Sequence, residues 1–171
     1  MSVNHPSIPL LQEQFGEQHC QALEFAGMVT TVVPKAILLE VMGFLHVDPR
    51  CGYEQLVDIF GADYLGYPRE EARFALVYPL LNLKENRRLA IKVYCDEKDM
   101  VVPSLVSIFR GAEWPEREAA EMFGFVFTDH PDPRRLLLAD LYEGKYPLRK
   151  DYPLRGEGER ESFTPITRET A

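Results

Sequence analysis

The clearest structural signal in this sequence is a pair of apolar segments separated by three polar residues. The segments are "RFALVYPLLNL", from Arg73 to Leu83, and "RRLAIKVYC", from Arg87 to Cys95, with "KEN" between them. β-Branched and aromatic residues on both sides of a short polar loop are typical of an antiparallel hairpin. We therefore expect this hairpin to form part of a sheet.

Weaker patterns of helices and strands surround the hairpin, without a regular βαβ alternation. Strands followed by helices, with hairpins between strands, indicate an α+β fold: a mixed, largely antiparallel sheet with helices packed on it. In chain order the patterns predict a helix from Ile8 to Phe15, strands in "QALEF" and "MVTTVVP", a helix in "KAILLEVMGFLHVD", one more strand in "YEQLVDIFGADYLG", and two helical pieces, separated near Gly111, in "SLVSIFRGAEWPEREAAEMFG".

Length and charge exclude several classes of protein. At 171 residues the chain is long enough to bury a core in one compact domain. A net charge of −8 argues against nucleic acid as the main partner. The longest apolar run, "AILLEVMGFL", is interrupted by Glu40 and is too short to span a bilayer. No basic segment followed by an apolar stretch opens the chain, so we expect a cytoplasmic or otherwise reducing location.

The three cysteines do not form a recognisable ligand set. Cys20, Cys51 and Cys95 lie far apart, without a CxxC pair or a histidine at ligand spacing. Iron–sulfur clusters and structural zinc ions normally take four such ligands. We therefore interpret these residues as free thiols of the core, and we expect this chain to bind no metal or redox cofactor itself.

The character of the chain changes after Phe127. Prolines at positions 131, 133, 147, 153 and 165 forbid a long helix. Between Arg134 and Arg155 six basic residues stand against three acidic ones, although the whole chain is acidic. Regularly spaced leucines and tyrosines favour a segment laid on a partner over a disordered spacer. We predict a compact domain over residues 1–127 and an extended, partner-docking segment over residues 128–171.

Charged residues are densest in "WPEREAAEMFGFVFTDHPDPRR", from position 114 to 135. Its first half predicts a helix, because Pro115 suits a first turn and Gly124 suits a helix end. Glu116 and Glu118 then lie near the positive end of the helix dipole. Arg117 and Glu121, four residues apart, are expected to pair on one face.

Two chemical interpretations of this stretch compete with a structural one. Glu118 and Glu121 could act as paired carboxylates in acid–base catalysis, and Asp129, His130 and Asp132 could hold a metal. Nothing in the pattern indicates a cleft or a second ligand cluster. The chain also lacks GxSxG, HExxH, P-loop and dinucleotide-binding motifs. We favour the interpretation in which His130 braces a turn and neighbouring arginines contact carboxylates.

Arginines of this region also fit a protein interface. A guanidinium group binds a carboxylate through two parallel hydrogen bonds, which lysine cannot reproduce. Arg117, Arg134, Arg135 and Arg149 are the candidates. "YPLRKDYPLR" places apolar residues between basic ones, as in an extended segment docked in an acidic groove.

Two motifs in this region resemble those of one protein family, the 30 kDa-type subunit of respiratory complex I. "EREAAEMFGFVFTDHPDPRRLL" is similar to the family's signature, and "YPLRKDYPL" to its proline-rich tail motif. Asp129 and Pro133 depart from the family's usual turn, in which a glycine often precedes the histidine. The positions in register with the signature are Glu116, Arg117, Glu118, Glu121, Met122, Phe123, His130, Arg134, Leu136 and Leu137.

The resemblance implies a non-redox structural subunit in the peripheral arm of the proton-translocating NADH:quinone oxidoreductase, on the cytoplasmic face of the inner membrane. Electrons would pass from NADH through FMN and iron–sulfur clusters to quinone in neighbouring subunits. The implied main partner is the hydrogenase-like large subunit of the 49 kDa type, and membrane association would be indirect. The motif residues implied to form the partner interface are Glu116, Arg117, Glu118, Glu121, His130, Arg134, Arg135, Pro147, Leu148, Arg149, Lys150 and Asp151.

Two alternatives remain open from the sequence. Homologous scaffold subunits occur in membrane-bound nickel–iron hydrogenases, formate hydrogenlyases and ferredoxin- or F420-dependent complexes, and the motifs separate these poorly. A free-standing enzyme that uses His130 with nearby acids is the alternative from a different class. It predicts turnover by the isolated chain.

Overall fold

A computed structural model describes residues 4–67 and 72–158 of the chain. Its three α-helices are α1 (Ser7–Phe15), α2 (Leu38–Val47) and α3 (Glu113–Phe123). Short 3-10 turns stand at Glu17–His19, Lys35–Ile37, Arg110–Ala112 and Asp140–Tyr142. The strands are β1 (Gln21–Phe25), β2 (Met28–Val32), β3 (Gln55–Leu56), β4 (Phe60–Asp63), β5 (Phe74–Asn82), β6 (Arg87–Cys95), β7 (Val101–Pro103) and β8 (Val126–Thr128).

The predicted hairpin forms the centre of the main sheet. β5 and β6 pair antiparallel from Phe74 opposite Cys95 to Asn82 opposite Arg87. The sheet order is β1-β2-β6-β5-β3, and β4 also pairs with β5. The β2–β6 pair is parallel, the other pairs described in this sheet are antiparallel, and β7 and β8 form a separate parallel pair. The mixed, largely antiparallel sheet and the α+β class are confirmed.

One face of the sheet carries the core. Because side chains alternate along a strand, Leu76, Tyr78 and Leu80 of β5 share a face, and all three are inaccessible to solvent. Apolar side chains of all three helices belong to the same buried cluster, for example Leu11 of α1 and Met42 of α2. The helices therefore pack on one side of the sheet. Among the described residues, no helix is long and apolar enough to cross a membrane.

Two predicted elements differ in the structure. "YEQLVDIFGADYLG" forms two short strands, β3 and β4, because the Asp58 carboxylate accepts the N–H of Ile59 and bends the chain between them. The first of the two predicted helical pieces is a series of turns, in which the Ser104 hydroxyl accepts the N–H of Val106. The 3-10 turn at Gly111 leads directly into α3.

The C-terminal segment lies against the domain. In its described part, residues 128–158, the only helical structure is the 3-10 turn at Asp140–Tyr142. Hydrogen bonds join this part to α3 and to the sheet, so residue 127 marks a change in chain character and not a gap in contacts. Docking of residues 128–171 on a partner stays a prediction, and its part beyond residue 158 lies outside the described residues.

Candidate functional site

Glu116, the first charged residue of the motif, is fully buried at the start of α3. Its Oε1 accepts a 2.6 Å hydrogen bond from the N–H of Leu105, while Oε2 has no hydrogen-bond partner. Burial raises the pKa of this carboxyl above its ordinary value, although the bonds from Leu105 and Ser104 oppose the shift. Glu116 therefore fixes the turn before α3 to the helix. It lies in the first turn of α3, as the sequence predicted, and its side chain is buried there.

His130 braces the turn after β8. Its Nδ1 accepts the N–H of Asp132 at 3.0 Å, so the ring proton sits on Nε2, which donates to the carbonyl oxygen of Glu113 at 2.9 Å. Nε2 also lies 3.8 Å from Oε2 of Glu116. Nε2 thus holds the turn against the first residue of α3, and Nδ1 braces the turn internally, as the structural interpretation of His130 expected.

Residues 129–138, which we call the signature turn, wrap around Arg117. The Nε and Nη2 atoms of Arg117 donate to the carbonyl oxygens of Arg134 and Arg135 at 2.6 and 2.8 Å. Arg134 itself binds Asp132 through two bonds of 2.7 and 2.8 Å. Those bonds from Arg134 hold the pKa of the Asp132 carboxyl well below its usual range. Both arginines therefore bind groups of their own chain.

Glu121 holds the other end of the signature turn. Its two carboxylate oxygens accept three consecutive backbone N–H groups, from Leu136 at 3.1 Å, Leu137 at 2.7 Å and Leu138 at 3.2 Å. The expected pair between Arg117 and Glu121 is therefore not formed, because each side chain binds backbone groups of the signature turn instead. Glu118, between them on the helix, faces solvent.

A second group of motif residues, Tyr146–Asp151, closes over the end of α3; we call it the clasp. Arg149 donates from Nε to the carbonyl oxygen of Phe123 at 2.7 Å, and its guanidinium lies over the rings of Phe74 and Tyr146. The N–H of Leu148 donates to the carbonyl oxygen of Met122 at 3.2 Å. These bonds satisfy carbonyl groups that a helix end leaves unpaired.

Two residues that the sequence did not single out anchor the clasp to the sheet. Asp63, with a side chain only 1% exposed, accepts the N–H of Lys150 at 2.9 Å and also binds Arg73. Arg73 reaches Asp151 at 2.6 Å. Burial opposes ionisation of Asp63, but hydrogen bonds from Arg73 and Lys150 hold the pKa below its usual value. Neither residue belongs to a recognisable local pattern, so only the folded chain reveals them.

The structure therefore divides eleven of the twelve predicted motif residues into two groups, and the exposed Glu118 belongs to neither. The first group forms the signature turn or holds it and the start of α3: Glu116, Arg117, Glu121, His130, Arg134 and Arg135. The second group belongs to the clasp: Pro147, Leu148, Arg149, Lys150 and Asp151. A cavity of about 270 Å³ opens between them, lined by residues that include Arg117, Glu121, Arg135, Tyr142 and Tyr146. The role of the motif residues in binding a partner stays a prediction.

The arrangement of potential ligands and thiols bears on cofactor binding. Within residues 4–67 and 72–158, no group of three or more His, Cys, Asp or Glu side chains is placed to hold a metal ion. The three cysteines are buried and unpaired, and burial raises the pKa of Cys95 to about 11. A thiol with a raised pKa is a weak nucleophile at neutral pH.

Asp129 occupies a position at which this sequence departs from the family's usual turn. It adopts a left-handed conformation with a φ of 59°. The glycine often found there in the family adopts such a conformation without strain. Asp129 therefore replaces the glycine in a turn that His130 and Arg134 still hold through their hydrogen bonds.

Fold and site together define an α+β domain whose charged motif holds its own proline-rich C-terminal segment. The chain belongs to the family described as respiratory-chain NADH dehydrogenase, 30 kDa subunit, whose model matches residues 31–158. It is 46% identical over 146 residues to the C-type subunit of the NADH-quinone oxidoreductase of Brucella ovis, covering 85% of this chain and 70% of that protein. The corresponding protein of Brucella abortus is 45% identical over the same length.

Solved structures share this fold. A trypsin-resistant fragment, residues 1–134, of Nqo5 is 32% identical with a TM-score of 0.63, and the match covers 72% of this chain and 96% of the fragment. A chain of an archaeal respiratory membrane complex, the membrane-bound sulfane sulfur reductase, has a TM-score of 0.69 at 20% identity. That match covers 86% of this chain and 84% of the other. At this identity the second likeness concerns the fold alone.

Proposed function

We propose that this chain is a non-redox structural subunit of the peripheral arm of a proton-translocating NADH:quinone oxidoreductase. It supports electron transfer from NADH to quinone by holding neighbouring subunits in place, while FMN, the iron–sulfur clusters and quinone bind in those subunits. It is held at the cytoplasmic face of the inner membrane through the complex. The observation that carries the proposal is the 46% identity to the Brucella oxidoreductase subunit over most of both chains.

The geometry of the motif supports a structural role. Glu116, Glu121 and His130 could be suspected of catalysis, yet each is engaged with backbone groups of the signature turn or the segment before α3. A catalytic acid or base must instead reach a substrate proton directly or through water. These side chains give the C-terminal segment a fixed path, which is what a docking element needs in order to bind without a large ordering cost.

The C-terminal segment is the proposed contact with the hydrogenase-like large subunit. Leu137, Leu141 and Leu148 are each more than half exposed, although the backbone beside them is held by hydrogen bonds. Exposed leucines on a fixed backbone can enter apolar pockets of a partner. The trypsin resistance of the Nqo5 fragment, which matches 72% of this chain, agrees with a body that folds without the complete C-terminal segment.

The alternative assignment keeps the scaffold role and changes the enzyme. The same fold occurs in the archaeal sulfane sulfur reductase complex, so a related respiratory or hydrogenase-type complex is the second candidate. The higher identity to the subunits of the quinone enzymes favours the first.

Purification of the tagged chain from gently solubilised native membranes tests the assignment. Mass spectrometry of the bound proteins should find the large subunit, cluster-bearing subunits and the NADH–flavin module. A nickel–iron hydrogenase or sulfur-reducing partner in their place would move the chain to the second candidate. Recovery of the chain alone, with turnover that His130→Ala abolishes, would overturn both.

A further inference from the structure

The face of the main sheet opposite the helices is open and apolar. Strand pairing places Val77, Pro79 and Leu81 of β5 on this face, with Leu23 and Phe25 of β1 and Phe60 of β4. Phe25 is 85% exposed, Leu23 57% and Phe60 47%. The side chains of the helices belong to the buried cluster on the other face.

An apolar surface of this size is unusual on a protein that works alone. The face is five strands wide, and its central strands are nine residues long. With ~4.8 Å between strands and ~3.4 Å per residue, it spans on the order of 500 Å². A standard protein interface buries about 800 Å² on each partner, and contiguous apolar patches above a few hundred Å² mark interaction sites. The open face is smaller than a whole standard interface and large enough to form the apolar centre of one.

The charge of the open face indicates what covers it. Among the strand residues on this face, all in the described part of the chain, the charged side chains are Arg88 and Lys92, both basic. The whole chain carries a net charge of −8, so this face differs in sign from the rest of the molecule. A second copy docked through the same face would bring like charges together. Lys92 lies on the central strand β6, opposite Val77, and Arg88 lies four residues nearer the hairpin turn. An apolar surface with carboxylates opposite these two positions is complementary to the face.

Aromatic and basic side chains connect the open face to the clasp. The Lys92 ammonium lies 4.3 Å from the ring centre of Tyr94 and 4.5 Å from that of Tyr64. Tyr64 contacts Tyr67 edge to face, and the Lys150 ammonium of the clasp lies 4.2 Å from the Tyr67 ring. The row runs from the sheet to the C-terminal segment. A partner seated on the open face would therefore meet the clasp at its margin.

We propose that the open sheet face is a second docking surface, which takes a neighbouring subunit whose apolar surface carries carboxylates opposite Arg88 and Lys92. This proposal depends on the proposed function in one respect, which is that the neighbouring subunit belongs to the same complex. The C-terminal segment and the sheet face would then contact partner surfaces from two sides of the chain, and this chain would bridge them.

Cysteine labelling of the assembled complex tests this surface. The natural cysteines are buried, so a cysteine introduced by Leu23→Cys or Phe60→Cys is the accessible thiol. We expect a maleimide to label both variants quickly in the isolated chain and at least about tenfold more slowly in the complex, as for side chains covered by an interface. Val47→Cys, at the end of α2 and 75% exposed, is the matched control and should keep its rate.

The outcomes separate this surface from the proposed function. Labelling of Leu23→Cys and Phe60→Cys in the complex at their free rates would overturn the surface and leave the function intact. Protection within a different respiratory complex would support the surface and overturn the function. Equal slowing of labelling at Val47→Cys would indicate general shielding in the complex. Protection of Leu23→Cys and Phe60→Cys by a dimer of the isolated chain would make the face an interface between two copies. Either result would overturn the proposal.

A pair of variants of opposite charge tests whether the partner surface is acidic. Leu23→Lys and Leu23→Glu remove the same apolar side chain and differ in the sign that they add. We expect the Glu variant to recover several-fold less of the partner subunits than the Lys variant, because it faces carboxylates. Equal recovery, or the reverse order, would contradict the acidic partner. Unchanged thermal unfolding of both isolated variants would show that the difference does not come from folding.

Discussion

Glu116 combines full burial with a carboxylate oxygen that has no hydrogen-bond partner. A carboxyl whose pKa is raised by folding contributes full stability only below the pKa of the unfolded chain, about 4.3. That contribution is lost as the pH rises through the folded value. Burial of Glu116 is therefore unfavourable at neutral pH, where the carboxylate is charged, while the hydrogen bond that it accepts from Leu105 stabilises the segment before α3.

Substitutions at Glu116 should separate its charge from its hydrogen bond. Glu116→Gln keeps an acceptor for the N–H of Leu105 and removes the titration, so we expect unchanged or higher stability at pH 8 and a flatter pH profile above pH 5. Glu116→Ala leaves that N–H unpaired and should cost about 2 kcal/mol. Urea unfolding across pH 4–8 measures both. A Gln variant that loses as much stability as the Ala variant would show that the carboxylate charge itself is stabilising.

Asp63 has the opposite titration behaviour. Its folded pKa is lowered, so its contribution is present above the unfolded pKa of about 3.9 and is lost as the pH falls through the folded value. Asp63→Asn should destabilise the chain by about 3 kcal/mol at pH 7, because it breaks a buried pair with Arg73. Asp151→Asn, which removes the half-exposed partner of the same guanidinium, should cost less than about 1 kcal/mol. Equal losses in thermal unfolding at pH 7 would contradict the role of burial.

Gly124 joins α3 to β8 and receives the clasp. Its φ of 87° is strained for any side chain, and an added Cβ would lie 2.6 Å from Nη2 of Arg149 and 2.8 Å from the Tyr146 ring. Gly66 has a similar φ of 83° with nothing within 4 Å of such a Cβ. Gly66→Ala should therefore cost about 1 kcal/mol, and Gly124→Ala about 2–4 kcal/mol because it also displaces the clasp. Similar unfolding free energies for both variants would argue against tight packing of Arg149.

Local patterns predicted those elements whose conformation depends on near neighbours. The β5–β6 hairpin follows from the alternation of side chains, and α3 (Glu113–Phe123) follows from Pro115 in its first turn and Gly124 at its end. The break between β3 and β4 was missed, because it depends on one side-chain hydrogen bond at Asp58. The turns after Ser104 were missed for a similar reason, since a buried Glu116 holds the N–H of Leu105.

The sequence pointed to the motif residues of the candidate site, but not to their contacts or to the anchors Asp63 and Arg73. The motif selected Arg117 and Arg149, but a sequence cannot show whether a guanidinium meets a partner's carboxylate or a carbonyl of its own chain. Both arginines bind their own backbone. The anchors of the clasp lie still farther away: Asp63 is 87 positions from Lys150, and Arg73 is 78 positions from Asp151. Contacts at such separations come from the sheet geometry, which no local pattern encodes.

In the whole molecule, the α+β domain holds the C-terminal segment in place through hydrogen bonds to α3 and to the sheet. Deleting residues after Leu141 removes the clasp bonds to Phe123, Met122 and Asp63. At about 1 kcal/mol per bond, we expect a folded body that is about 3 kcal/mol less stable, together with loss of assembly. Truncation after Gly158 keeps all three bonds and is the control for stability. A body that unfolds completely without the clasp would make the domain boundary near residue 127 wrong.

Assembly and folding should separate when only the exposed leucines change. Leu141 and Leu148 are each 54% exposed, and the hydrogen bonds beside them use backbone atoms, which a side-chain substitution retains. Leu141→Ser with Leu148→Ser should change the free energy of unfolding by less than about 1 kcal/mol, since exposed positions contribute little. The same variant should recover far less of the large subunit from solubilised membranes, because serine gives up the apolar area that each leucine would bury against the partner. Leu83→Ser, which changes a leucine 60% exposed just after β5, is the matched control. Normal recovery with the double variant would place the contact with the large subunit elsewhere, and a fall with Leu83→Ser alone would move it to the hairpin.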